Sequence, residues 1–133
     1  MFISASKPCL KRRILGCALC AAACAAISAV YQSFGHGVTS RAMTYAFVAP
    51  LVPGALHLWV WGLAGGVLPG RAHPWQNLLL AGLATVTAGL YFQGIVEIAG
   101  VDGGWERLFY AVGAALFAVG TLGMWLKRPK GVD

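Results

Sequence analysis

Four long apolar stretches, charged at only one position, limit what this chain can become. They run from Ile14 to about Phe34, from about Ala42 to Leu68, from Trp75 to about Gly100, and from Leu108 to Leu126, and Glu97 is the lone formal charge inside them. At 1.5 Å per residue, a helix over each stretch spans about 30 Å of hydrocarbon. Membrane strands are disfavoured, because runs of this length show no alternation between two faces. Composition closes off the soluble alternative: of 133 residues, 59% are hydrophobic and 11% charged, well under the quarter or so of charged residues in soluble domains. The apolar surface left over needs lipid as its solvent. Residues 1–133 are therefore read as one all-α integral membrane domain.

Short polar or Gly/Pro-rich connections separate the stretches: His36 to Arg41, Pro69 to Pro74, and Val101 to Arg107. Connections this short make consecutive helices antiparallel, which predicts an up-down-up-down four-helix bundle. Lys and Arg set its orientation. Lys7, Lys11, Arg12, Arg13, Arg71, Lys127, Arg128 and Lys130 fall on one side of such a bundle, against Arg41 and Arg107 on the other. The basic side is cytoplasmic, so both termini are expected inside. Trp75 and Trp125 then mark the inner boundary and Trp105 the outer one. The net charge of +6 belongs to these flanks; no basic face or aromatic motif accompanies it, and nucleic acid is not an expected partner. The expected partners are the lipid bilayer and either a second copy or a membrane protein. The expected location is the cell membrane, multi-pass, of the bacterial inner-membrane kind.

Two processing motifs compete with this reading. Lys11-Arg12-Arg13 followed by an Ala-rich run resembles a secretory signal, but the run has the length of a full span rather than of a signal core. Leu90-Tyr91-Phe92-Gln93-Gly94 matches part of a protease recognition site, yet apolar sequence on both sides makes it part of the third span.

Small residues predict how the helices meet. Gly16, Cys20, Cys24 and Ser28 recur every four residues, as do Gly62 and Gly66, and Ala114 and Ala118. Such ridges let backbones approach closely where no hydrophobic force draws helices together. In the second span, Pro50, Pro53 and Gly54 predict a kink or a locally unwound segment.

The chemistry concentrates around Glu97. A carboxylate in a span is costly and is expected to face the bundle with a partner. From Trp75 it lies about 33 Å along a helix, near the outer interface. Tyr31, Gln32 and His36 share that depth, with Ser40, Arg41, Thr44 and Tyr45, while Gln93 lies one turn below and Arg107 and Tyr110 open the fourth span. The candidate polar site is Glu97, Gln93, His36, Arg41, Tyr45, Tyr31 and Arg107. An ion pair from Glu97 to Arg41 or Arg107 is the structural expectation; an outward-facing site for an ion, proton or small polar molecule is the functional one.

Other constellations are less specific. His57 sits at the depth of Thr85 and Thr87, where one hydrogen bond would satisfy it. Cys17, Cys20 and Cys24 form one helical stripe, but Cys9 is cytoplasmic and no outer loop carries a cysteine, which counts against disulfide exchange. Neither a metal nor a cofactor is expected: one helix offers too few ligands, and no phosphate-binding loop or nucleophile motif is present. The first expectation is therefore a structural or accessory membrane protein without enzymatic activity. The alternatives are a small oligomeric transporter or channel around Glu97, and a membrane redox enzyme using the cysteines or His36 and Glu97.

Overall fold

The computed structural model describes residues 2–64 and 74–127, with side chains from residue 10 onward. Every regular element among them is helical: α1 (Phe2–Phe34), α2 (Arg41–Thr44), a π-helical segment (Pro50–Leu56), α3 (His57–Leu63), α4 (Pro74–Ala99) and α5 (Glu106–Leu126). Three are long and apolar enough to cross a membrane: Leu10–Phe34 of α1, all of α4, and all of α5. Gly66, Leu68, Arg71, Arg128 and Lys130 lie outside the described residues.

The stretch expected as the second span is broken rather than continuous. Proline chemistry accounts for the break. An α-helix would pair the Ala49 carbonyl with the amide of residue 53, which is a proline and has none. Winding with a five-residue step passes that carbonyl to the next amide, on Gly54. Upstream, Ala49 N donates to the Ala46 carbonyl at 3.3 Å, which serves the group that Pro50 cannot. Both adjustments reduce the carbonyls that two prolines would leave unpaired, which hydrocarbon penalises.

The ends of the long helices are also legible. Pro74 opens α4, where a missing amide costs nothing. Gly100 closes it with φ +68, while Gly100 N donates to the Glu97 carbonyl and Val101 N to that of Val96. This paired reversal caps a helix C-terminus with a left-handed glycine. Between α1 and α2, His36 (φ 46) and Gly37 (φ 91) turn the chain.

Packing proceeds in layers. The broken segment lies against α1 along its length: Gly62 meets Leu10, Gly54 meets Cys17, and the Met43 carbonyl meets Ser28. Its other side meets α4, with Leu83 on Gly54 and Gly94 against Met43. α5 packs on α4, antiparallel to it. Trp61, Leu79, Leu83 and Met124 form one buried cluster, and Cys17, Ala55 and Leu58 another, with Leu10 and Leu80 touching both. The outward faces carry Leu15, Leu19, Ile27 and Phe34 on α1 and Leu108, Val119, Leu122 and Leu126 on α5, the arrangement a lipid solvent permits.

The small-residue ridges differ from expectation. On α1 the buried positions are Cys17, Ala21, Cys24 and Ser28, whereas Gly16 and Cys20 are exposed. A four-residue repeat slips about 40° around the helix at each step, so only a mixed four-and-three spacing stays on one face. On α5, Ala114 and Ala118 are exposed, and Gly113, Gly120 and Gly123 are buried instead. Gly113 meets Gly82 and Val86 of α4, Gly120 meets Leu79 and Trp75, Gly123 meets Trp75, and Gly89 of α4 meets Phe109 and Tyr110. A Cβ on Gly82 would stand 2.5 Å from Phe117 N and 2.6 Å from the Gly113 carbonyl oxygen. The operative spacing is seven residues, Gly82 to Gly89 and Gly113 to Gly120, the repeat that keeps two helices in register along a seam.

Candidate functional site

The end of the molecule that carries Glu97 is built on the cap of a very short helix. Ser40 precedes α2 and is 1% exposed. Its Oγ accepts the amide hydrogen of Met43 at 3.3 Å, an N-cap bond that satisfies one orphan donor. The same hydroxyl donates to Glu97 Oε2 at 2.5 Å. The other carboxylate oxygen, Oε1, accepts from Gln93 Nε2 at 2.7 Å, one turn back on α4. Tyr110 of α5 then donates to Gln93 Oε1 at 2.5 Å. Every donor in this chain of three bonds points toward the carboxylate.

A second branch extends the network to α1. Thr44 donates to the Ser40 carbonyl at 2.7 Å, and Gln32 Nε2 donates to Thr44 Oγ1 at 3.0 Å. Deeper in the layer, Ser28 donates to the Met43 carbonyl at 2.7 Å and Tyr91 donates to the Cys24 carbonyl at 2.6 Å. The Ser28 and Tyr91 hydroxyls stand 3.3 Å apart. Polar groups on α1, α2, α4 and α5 are therefore joined near one level of the fold.

Glu97 occupies an awkward position. It lies in the last turn of α4, where the helix dipole is negative and a carboxylate is disfavoured. Hydrogen bonds from Ser40 and Gln93 offset that cost. No ion pair with Arg41 or Arg107 forms, and both arginines are exposed. The expected pairing fails because Ser40, held in place by capping α2, reaches the carboxylate first. His36, Tyr31 and Tyr45 are likewise exposed and stand outside the network. Of the seven expected site residues, the structure links Glu97 and Gln93; Ser40 and Tyr110 bind them directly, and Thr44 and Gln32 extend the chain. No protein-family model, curated protein or solved structure matches the chain. The site therefore has to be read from its own geometry.

The other candidates separate from this site. His57 bonds neither Thr85 nor Thr87; those hydroxyls turn back to the carbonyls of Ala81 and Leu83, at 2.8 Å each. Such local bonding is an easy alternative for threonine in a helix. His57 Nε2 instead accepts from Trp125 Nε1 at 3.3 Å, and its ring meets Phe117 and Trp125 edge-on. The acceptor role leaves the neutral ring its proton on Nδ1. Cys17, Cys20 and Cys24 are free thiols, Cys17 and Cys24 buried and Cys20 exposed. Cys17 Sγ would stand 3.2 Å from a Cβ on Gly54, which makes it a packing group at the helix break. Among the described residues, no group of three His, Cys, Asp or Glu side chains could hold a metal ion.

Proposed function

We propose that this chain is a four-crossing integral membrane protein, N-in and C-in, with a structural or accessory role and no enzymatic activity. The three continuous apolar helices support the membrane location. Support for a fourth crossing comes from the broken segment. From residue 41 to residue 63 it accompanies α1 and α4 from the Ser40 level to the Leu10 level. Helical crossings fit a bacterial inner membrane, since outer-membrane proteins cross as closed barrels. With the basic end inside, the Glu97 network lies at the outer boundary.

One observation carries the structural reading. Both oxygens of Glu97, the most expensive group in the spans, are taken up by Ser40 and Gln93, and neither His36 nor an arginine bonds it. The carboxylate acts as a clasp that joins the cap of α2 to the end of α4. A second reading rests on a different fact: although both its oxygens are hydrogen-bonded, the Glu97 side chain is exposed. That favours a small oligomeric transporter or channel.

Two experiments divide these readings. Reporter fusions at both termini should be active in the cytoplasm, and one inserted in the Val101–Arg107 loop should be active outside; termini on opposite sides would reduce the crossings to three. In proteoliposomes the structural reading expects no ion flux that Glu97→Gln abolishes. A flux sensitive to that substitution would move the assignment to transport.

A further inference from the structure

The charge of this molecule is segregated by end, and the basic end has no acidic counterpart within the described residues. Glu97, Asp102 and Glu106 all lie at the junction of α4 and α5. At the opposite end, Lys11, Arg12 and Lys127 are exposed and Arg13 is half-buried. None of these four has a carboxylate partner there. They also share a level: Leu10, beside Lys11, and Trp75, beneath Lys127, both pack on the cluster of Trp61, Leu79, Leu83 and Met124. Lys127 is held over the Trp75 ring at 5.0 Å from its centroid, and a cation on an indole face is partly pre-positioned. Trp125, in the last turn of α5, is 40% exposed and Trp59 of α3 is 54% exposed, which supplies the aromatic belt of a membrane–water boundary.

We propose that this end is a docking surface for anionic phospholipid headgroups, with Lys11, Arg12, Arg13 and Lys127 as the contacts to the phosphodiester. The proposal rests on the membrane reading above and adds a lipid selectivity to it. The occupant follows from charge and position together. Four cations with no carboxylate partner among the described residues share the level of an apolar, tryptophan-bearing rim, and a negatively charged amphiphile satisfies both features. A zwitterionic headgroup brings its own ammonium and gains less. Each Lys or Arg near an anionic surface strengthens binding by about fivefold, and the effect falls with salt because exposed charges are screened.

The test uses the full chain in nanodiscs of equal parts phosphatidylglycerol and phosphatidylcholine, with the retained lipids identified by native mass spectrometry. Phosphatidylglycerol is expected to dominate the retained lipid at low salt and to lose that lead at high salt. Equal retention of the two lipids, or a lead that high salt leaves unchanged, overturns the proposal while leaving the membrane reading standing. A chain that never enters the nanodisc overturns the membrane reading itself. The triple variant Lys11→Gln, Arg12→Gln, Lys127→Gln should cut the lead by tenfold or more; an unaltered lead in a variant that still enters nanodiscs counts against the surface. The salt series on the native chain carries the test if that variant fails to fold.

Discussion

Helices α4 and α5 are joined by backbone contact, whereas α1 is joined to the broken segment by hydrogen bonds and small side chains. In the first interface, glycines seven residues apart let the main chains approach until a single Cβ would collide with backbone atoms. In the second, Ser28 reaches the Met43 carbonyl and Gln32 reaches Thr44. The difference follows from what each segment offers. α4 and α5 are regular, so their interior backbone groups pair within each helix and the interface is mainly packing, with the Tyr110–Gln93 hydrogen bond at one end. The region from α2 through the π segment is irregular. There the Met43 carbonyl faces α1, and the Ser28 hydroxyl finds it.

If the comparison is right, substitutions should sort by interface. Gly120→Leu should have the largest effect, because its Cβ would overlap the backbone of Leu79 and neither main chain can yield cheaply. A loss of about 3 kcal/mol or outright failure to assemble is expected, read by thermal unfolding in detergent; a near-native transition would show that the two helices are not in close contact. In the second interface a cavity or a lost hydrogen bond is milder. Ser28→Ala should cost about 0.6 kcal/mol and not more than about 1.7, the average and the maximum for hydrogen bonds between membrane helices. A cost as large as that of Gly120→Leu would erase the distinction drawn here.

The Glu97 clasp sharpens the contrast further. Glu97→Ala and Ser40→Ala should each destabilise the fold, and the double variant should cost less than the two combined. A coupling of about 0.5 to 1 kcal/mol is expected for groups that share one hydrogen bond, and strict additivity would argue that the two residues do not meet. The smallest effects belong on the outer face of α1. Cys20→Ala should change stability by less than about 0.5 kcal/mol, while Ala21→Leu, one residue on but buried, should cost about 1 to 3 kcal/mol. Reversed values would put the every-four ridge back at the interface.

Much of this is legible in the sequence. The boundaries of α4 and α5 follow from Pro74, Gly100 and the charged loop after it, since each is a local stop or start signal. The break in the second stretch follows from Pro50 and Pro53, because a missing amide is a property of the residue and not of its neighbours. Gln93 joins Glu97 from the same helix, one turn away, and that too is local. Ser40 was visible only as a polar residue at the right depth. Its importance comes from capping α2, and α2 is four residues long, too short to announce itself by periodicity. Arg41 and Arg107 drew attention by charge, yet exposed charges in water gain little from pairing, and a positioned hydroxyl took the site.

Chain chemistry alone therefore determined that this protein is helical, that it belongs in lipid, where α4 and α5 begin and end, and that the second stretch breaks at its prolines. These are properties of composition and of near neighbours along the chain. Tertiary structure decided which face of each helix is buried, that the close contact of α4 and α5 uses a seven-residue glycine spacing, and that Ser40 rather than an arginine holds Glu97. The reason is geometric. A slip of about 40° at each four-residue step is invisible in a list of small residues, and only a partner helix selects the face.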